Sequence, residues 1–391
     1  MTKTIPPFSI HPFSHDTLAE ALSNEYTSIR EKFHFNFFKE YLGQTNEGLG
    51  AQTILIEYNY VSRSYLHDYA SYYALCFQDY KRLCKRVHFF SVPFSQRAFK
   101  AAVANPNSRG GQKIWAAYLG YVVIKPLPKT IIGATLLKTY ARTSNKKRHY
   151  PVTKKYEINI FGKTLEIDSL VFQEQDSIVS ACATTALWSA FHKTAELFQT
   201  TLPSPNEITS SAGNLFLTSG RSFPNRGLDH HQIGNAISSV NLVFEMRNHN
   251  ISLSNQSEEE KKKNIAFIKA FLYAYNKMGL PVLLGINLKD RGKHLITIVG
   301  FREEHKPVKV TSDISLKAFQ IERFYAHDDQ VGPFSRLGFK NNNLESSWWS
   351  SDDGSEKIEA EIMSIFVPLH KKIRINFEQI YFVAIGFDFL L

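Results

Sequence analysis

The sequence has little cysteine and lacks the apolar segments of exported or membrane-spanning proteins. Three cysteines occur among 391 residues, Cys76, Cys84 and Cys182, which argues against a disulfide scaffold and against a zinc site. The N-terminus, MTKTIPPFSIHPFS, has no apolar core of signal-peptide length. No apolar run approaches the roughly 18 residues of a spanning helix. We therefore expect a cytoplasmic protein with reduced thiols and no membrane contact.

The sequence also lacks a phosphate-binding glycine loop, internal repeats and low-complexity tracts. GGQK, at 110–113, does not have the spacing of a nucleotide-binding loop. Hydrophobic residues make up 43% of the chain and aromatic residues 13%, which excludes disorder over most of its length. The length favours two domains over one.

Acidic residues are outnumbered, with 36 Asp and Glu against 46 Lys and Arg and a formal net charge of +10. Such an excess attracts nucleic acid, anionic membrane or acidic protein, but here it is spread along the chain. The dense basic patch SNKKRHYPVTKK, at 144–155, contains Pro151 and lies between strand-like stretches. We interpret it as a solvated linker or hairpin tip. Nucleic-acid binding through Lys146, Lys147 and Arg148 is the less favoured alternative.

The hydrophobic pattern changes near residue 155. Before it, predicted helices at 15–45 and 64–86 alternate with strands, among them QTILIEYNY, AAYLGYVVIKPLP and TIIGATLLKTYA. After it, helices come first and strands dominate the end, which is typical of an α+β domain with an antiparallel sheet. We expect a mixed α/β domain of unknown role at 1–155 and an α+β domain at 156–391.

In the second part, three segments are predicted to be helical. One of them carries Cys182 and is described below. The other two are GLDHHQIGNAI, with Asp229 as its cap rather than a metal ligand, and SEEEKKKNIAFIKAFLYAYNKMG. The predicted strands are the hairpin YEINIFGKTLEIDSLVF, then PVLLGINL, HLITIVGF, FQIERFYAHDD, EIMSIFVPL and KIRINFEQIYFVAI. ESSWWSSDDG reads as a polar loop with tryptophans packed beneath it.

Cys182 lies where a polar segment becomes an alanine-rich one, in QDSIVSACATTALWSAF. From Ala181 onward the sequence predicts a helix, so Cys182 falls in its first turn. Free backbone N–H groups and the positive end of the helix dipole stabilise a thiolate there. The alternative is a packing residue, because cysteine is often buried.

A cysteine nucleophile needs a general base, and the base needs a third group to hold its tautomer. GKHLITIVGF places His294 at the start of a strand, and IERFYAHDDQVGPF ends the next strand with Asp328 and Asp329. Two neighbouring antiparallel strands would bring His294 beside one of these carboxylates. A lone His or Asp is more often a surface or turn residue, so the set of three carries the hypothesis.

This set resembles the papain-like cysteine peptidase superfamily, and within it the bacterial C39-like branch. The matching pieces are Gln175, Cys182-Ala183, HLITIVGF and AHDDQVGPF, and the resemblance covers roughly residues 166–340. It implies a helix carrying the cysteine packed on an antiparallel sheet, preceded here by the N-terminal mixed α/β domain.

The resemblance implies a role for each matching residue. Cys182 would be the nucleophile, His294 the base that later protonates the leaving group, and Asp328 the acid that orients His294, with Asp329 as the alternate. Gln175 would donate to the oxyanion, although it lies seven residues before the cysteine where the family has six. No metal and no organic cofactor are implied.

The expected function is hydrolysis of a peptide or isopeptide bond in a peptide or protein substrate, through a thioester. A transglutaminase-like transfer to an amine would use the same triad. The alternative from another class is a catalytically inactive papain-like domain that binds a protein partner.

Overall fold

The protein is an α+β protein whose sheets are antiparallel, as the second part of the sequence predicted. A computed structural model describes residues 6–44, 47–141, 146–176, 182–213, 227–248, 257–289, 291–304, 316–340, 343–350 and 356–388. Among the residues that it describes, no helix is long and apolar enough to cross a membrane.

The N-terminal part is built around a five-stranded sheet in the order β1-β2-β3-β4-β5, antiparallel throughout. Its strands are β1 (Phe8–Pro12), β2 (Thr53–Tyr60), β3 (Cys84–Phe90), β4 (Tyr118–Ile124) and β5 (Ile132–Leu137). Its helices are α1 (His15–Leu22), α2 (Phe33–Leu42), α3 (Arg63–Ser71), α4 (Gln96–Ala104) and α5 (Arg109–Ala116). The helix predicted over 64–86 is wrong beyond α3, because Cys84 opens the buried strand β3.

The C-terminal part contains a closed barrel of six antiparallel strands, in which β10 pairs with both β11 and β15. The strands are β10 (Val282–Leu288), β11 (Gly292–Glu303), β12 (Ile321–Asp328), β13 (Gly332–Lys340), β14 (Asn343–Ser350) and β15 (Lys357–Leu369). Outside the closed ring, β9 (Val243–Asn248) pairs with β15, and β6 (Lys147–His149) pairs with β11. The hairpin β7 (Lys154–Ile160) and β8 (Lys163–Ser169) has the alternating burial that its sequence predicted.

Helices cover the barrel from two sides. They are α6 (Cys182–Phe198), α7 (Pro205–Ser211), α8 (His230–Ser239), α9 (Glu258–Lys277) and α10 (Phe377–Asp388). Alternate residues of β10 pack with different helices. Val282 and Leu284 belong to the same hydrophobic cluster as residues of α9, and Leu283 belongs to the cluster that includes α6. A strand buried on both faces reads as a continuous apolar run, as PVLLGINL does. The cap of α8 is Asp229, as expected.

The two parts share a hydrophobic core. One cluster joins α2, through Phe37 and Tyr41, to Phe334 of β13 and Tyr325 of β12. Gly332 leaves room for the Phe37 ring, since a Cβ there would lie 2.3 Å from it. The boundary near residue 155 stays a prediction, while these contacts make α2 a neighbour of the turn that carries Asp328 and Asp329.

Three sequence expectations are wrong in this part. KIRINFEQIYFVAI was expected to be a strand, but its second half forms α10. The predicted polar loop ESSWWSSDDG instead supplies most of β14, with Trp349 buried. The basic patch is not a solvated linker at Arg148, which is buried in β6 and donates to the Tyr325 hydroxyl. In the patch, 144 and 145 lie outside the described residues.

Candidate active site

Cys182 is the first residue of α6, half-buried, as the sequence predicted. The residues directly before it, 177–181, lie outside the described residues. The helix is held in place by its buried side: Leu187 and Phe191 are fully buried, and Thr297 of β11 donates to the Ala186 carbonyl at 2.9 Å. The last contact fixes the start of α6 against the strand that carries His294.

His294 lies on β11 opposite Ile286 of β10, and its ring is buried. Nε2 donates to Asp328 Oδ1 at 2.9 Å and lies 3.4 Å from Asp329 Oδ1. β11 and β12 are antiparallel neighbours, with Thr297 opposite His327. The sequence expectation that adjacent strands bring His294 to one of the two carboxylates is therefore confirmed in its geometry.

The second ring nitrogen of His294, Nδ1, is the one that remains available to a thiol. His294 Nδ1 is buried and makes no hydrogen bond of regular geometry, and the Cys182 thiol is the sulfur group that interacts with the ring. Nε2 is therefore committed to the acid, which leaves Nδ1 to exchange a proton with the thiol. This is the tautomer that a general base needs.

The carboxylates shift the protonation of His294. Burial on its own would lower the pKa of the ring, but attraction to Asp328 and Asp329 and the hydrogen bond to Asp328 raise that pKa well above its usual range. The Cys182 thiol adds to the rise. The site thus favours an imidazolium, which is the state that a neighbouring thiolate stabilises.

Asp328 is saturated with donors. Oδ1 accepts from His294 and from the Gln330 N–H at 3.1 Å, and Oδ2 accepts from Trp349 Nε1 at 2.9 Å. Burial would raise the pKa of Asp328, but His294 and these donors hold it below its usual value. Asp328 is therefore ionised and fixed in orientation, which suits a group that holds the histidine.

Trp349 is the site residue that the sequence reasoning missed. It was assigned to a loop, but it lies on β14 and is 1% exposed. The pairing register of β14 with β15 shifts between Glu345 and Ser350. A register irregularity breaks the inward-outward alternation by which a strand is recognised, so the sequence carries no simple signal for this residue.

Asp329 differs from its neighbour. Burial raises its pKa to about 7, the charge of Asp328 adds to this, and attraction to His294 opposes it. Its Oδ2 is buried and has no hydrogen-bond partner among the described residues. Its backbone carbonyl accepts from His34 Nε2 of α2 at 2.8 Å. Asp328 is therefore the closer and ionised partner of His294 Nε2, whereas Asp329 is farther from it and more readily protonated.

The segment that leads to Cys182 is attached to the N-terminal sheet. Phe172 exchanges two backbone hydrogen bonds with Thr135 of β5, and the Glu174 N–H donates to the Ile132 carbonyl at 3.1 Å. Asp176, six residues before Cys182, accepts from the Tyr73 hydroxyl at 2.5 Å. The N-terminal part of the chain thus holds the segment that leads to Cys182 in place.

Two glutamines lie close before Cys182 in the sequence. Gln175 is half-buried, and only Asp176 separates it from 177–181, which lie outside the described residues; Gln173 is buried. The role of Gln175 stays a prediction.

His294, Asp328 and Asp329 also form the group of side chains, among the described residues, that is close enough together to hold a metal ion. Atoms of His294, Asp328 and Asp329 all lie within 4.8 Å of one another, and imidazole with carboxylates is a donor set for divalent transition metals. Three N–H donors already occupy both oxygens of Asp328. The arrangement is therefore explained by hydrogen bonds between protein groups.

Compared with models of known protein families and with curated proteins, the sequence has no significant match to either.

The raised pKa of Asp329 predicts a pH dependence of stability. A carboxyl group with a pKa of about 7 when folded, and about 3.9 when unfolded, favours the folded state in its protonated form. The free energy of unfolding should therefore fall as pH rises from about 4 to 7. Asp329→Asn removes this dependence, so we expect it to raise Tm more at pH 8 than at pH 4.

Thermal unfolding at pH 4, 6 and 8 measures this effect, with exposed Asp79→Asn as the matched control. A shift in Tm that is the same at every pH would contradict the assignment of a buried, protonated carboxyl to Asp329.

Proposed function

We propose that this protein is a cysteine peptidase that cleaves a peptide or isopeptide bond with Cys182, His294 and Asp328. The observation that carries the proposal is the state of the His294 imidazole: Nε2 donates to Asp328 at 2.9 Å, Nδ1 has no hydrogen-bond partner among the described residues, and the Cys182 thiol helps to raise the pKa of the ring. We further propose that the helix α6 and strands β11 and β12 correspond to the cysteine helix and sheet of a papain-like, C39-like domain.

The chemistry follows from these positions. His294 takes the thiol proton through Nδ1, and the thiolate attacks the scissile carbonyl carbon. His294 then gives that proton to the amine as the C–N bond breaks, which leaves a thioester on Cys182. Water, deprotonated by His294, releases the acid and restores the thiol. Asp328 remains ionised throughout and stabilises the imidazolium.

The first turn of α6 is placed to stabilise the negative charge that develops on the substrate oxygen in this reaction. Backbone N–H groups at a helix start have no partner within the helix, and an amide donor aimed at the oxyanion typically contributes about 100- to 1000-fold in rate. We assign the side-chain donor to Gln175. An amine in place of water would give transamidation, so the product of the second step separates peptidase from acyl transferase.

Alkylation of the three cysteines tests the proposal. Near pH 6.5 we expect iodoacetamide to modify Cys182 at least about tenfold faster than Cys76, because the thiolate is the reactive form. Cys84 serves as an internal control: it is buried, and burial raises its pKa to about 12. Mass spectrometry of the peptides at timed intervals gives the three rates.

A matched variant identifies the source of the reactivity. In His294→Ala the modification of Cys182 should slow to the rate of Cys76, with no change in the rate of Cys76 itself. Equal and slow modification of Cys76 and Cys182 in the unmodified protein would instead support an inactive, protein-binding domain.

A further inference from the structure

The C-terminal helix α10 has apolar side chains on its outer as well as its inner face. On the inner face, Phe377 packs on Phe271 with ring centroids 5.1 Å apart, and Tyr381 packs on Phe267 at 5.0 Å. Arg247 forms an ion pair with Glu378 at 2.5 Å. The helix is thus attached to α9 and β9 at fixed points.

The outer face is exposed. Ile380, Phe382 and Val383 are 57%, 59% and 57% exposed, and Ile375, just before the helix, is 62% exposed. Exposed apolar residues that form a contiguous patch mark an interaction surface rather than chance exposure. At 12 residues the helix is much too short to cross a bilayer, and apolar segments of this length lie in a core or in an interface.

A groove of about 670 Å³ continues this apolar surface between α9 and α10. Its walls include Met278, Leu316, Ile373 and Ala384. Of the described residues that line it, none carries a carboxylate, whereas Lys317, Lys372 and Arg374 carry positive charge.

The positive charge at this surface is largely uncompensated. Lys317 lies 3.5 Å from Glu303, but Lys371, Lys372 and Arg374 form no ion pair with any residue that the structure describes. Lys371 donates to the neutral amide of Asn241. Three neighbouring cations therefore border the exposed apolar face.

We propose that α10 and its basic border, Lys371, Lys372 and Arg374, dock on the surface of an anionic lipid bilayer. Apolar side chains enter the acyl boundary while neighbouring cations pair with lipid phosphates, as in interfacial helices and polybasic segments. A second copy of the chain fits less well, because its identical cations would face these across the interface. This inference replaces the expectation of no membrane contact and does not depend on the peptidase proposal.

Co-sedimentation with vesicles tests the proposal on the full chain. We expect binding to vesicles of phosphatidylcholine with 30% phosphatidylglycerol, at a level that weakens from low to high salt, and little binding to phosphatidylcholine alone. Lys371→Gln/Lys372→Gln/Arg374→Gln should lower the partition coefficient about 100-fold, since each cation contributes about fivefold. Ile380→Ser/Phe382→Ser/Val383→Ser should abolish binding at high salt.

Controls separate a lost surface from a lost fold. Leu75→Ser replaces a residue that is 82% exposed elsewhere on the protein and should bind like the original chain. Circular dichroism and Tm should be unchanged in all variants, and Cys182→Ala should bind as well as the original chain. Absence of binding to anionic vesicles would overturn the proposal. So would a dimer that the α10 variants dissociate, because it would identify a second copy as the occupant.

Discussion

Asp328→Asn is expected to lower kcat/KM about 10⁴-fold, with little change in fold. Asparagine keeps the shape of the side chain and can still accept from Trp349 Nε1, which now donates to Asp328 Oδ2 at 2.9 Å. It removes the charge that holds His294 as an imidazolium and no longer selects the Nε2–H tautomer. Loss of the correct tautomer in a nucleophile-base-acid triad has a cost of this order. Steady-state hydrolysis of a peptide substrate at pH 7 measures it.

Asp329→Asn is the matched variant, since it makes the same chemical change one residue away. Asp329 lies 3.4 Å from His294 Nε2, and its pKa of about 7 leaves it partly protonated at neutral pH. We expect a loss of less than about tenfold, and an alkaline limb of the pH–rate profile displaced to lower pH because one carboxylate no longer raises the His294 pKa. If Asp329→Asn proved the more damaging change, the two acids would have to exchange roles.

The three candidate residues could be picked out from the sequence because each lies near the end of a strongly patterned element. Cys182 starts an alanine-rich helix, His294 begins a long apolar strand, and Asp328 ends the next strand. Antiparallel neighbours in sequence usually pair in space, so the meeting of His294 with a carboxylate required only local patterns. The choice between Asp328 and Asp329 required coordinates, because it depends on which oxygen faces Nε2.

The contacts between the site and the N-terminal part of the chain could not be predicted in the same way. His34 meets the Asp329 carbonyl across 295 positions, and Tyr73 meets Asp176 across 103. Such pairs depend on how α2 and the turn that follows α3 pack against the rest of the chain, and no periodicity in the sequence predicts that. Trp349 could not be predicted as a site residue for a related reason. The register of β14 with β15 shifts near it, so the sequence pattern does not show which face of the strand its side chain occupies.

The error at α10 has a different physical origin. Its sequence is apolar on both faces, with Phe377 and Tyr381 inside and Ile380, Phe382 and Val383 outside. A short apolar run without a polar face has neither a clear period of two nor one of 3.6, so helix and strand cannot be separated by pattern. The lack of a polar face, which made the prediction fail, is also the feature on which the proposed bilayer contact rests.

Arg148→Gln is expected to reduce the free energy of unfolding by about 3 to 5 kcal/mol. The guanidinium is 2% exposed in its side chain and bridges the two parts of the chain. It donates through Nε to the Tyr325 hydroxyl at 2.9 Å and through Nη1 to the Ala141 carbonyl at 2.6 Å, and it forms an ion pair with Glu47. Removing one partner of a buried pair leaves the others unsatisfied, which is where a cost of this size arises.

Lys147→Gln provides the comparison, since Lys147 is the neighbouring residue of β6 and is exposed. Surface changes of this kind usually alter stability by less than about 0.5 kcal/mol. Urea unfolding of both variants gives the two free energies from midpoint and slope. Stability and retention on a polyanion column, measured on the same variants, together decide whether the basic patch binds nucleic acid or holds the fold. A stable Arg148→Gln protein that has lost salt-sensitive retention on a polyanion column would return the patch to nucleic-acid binding, whereas a destabilised protein with unchanged retention assigns Arg148 to the contact between β6, β12 and the N-terminal part.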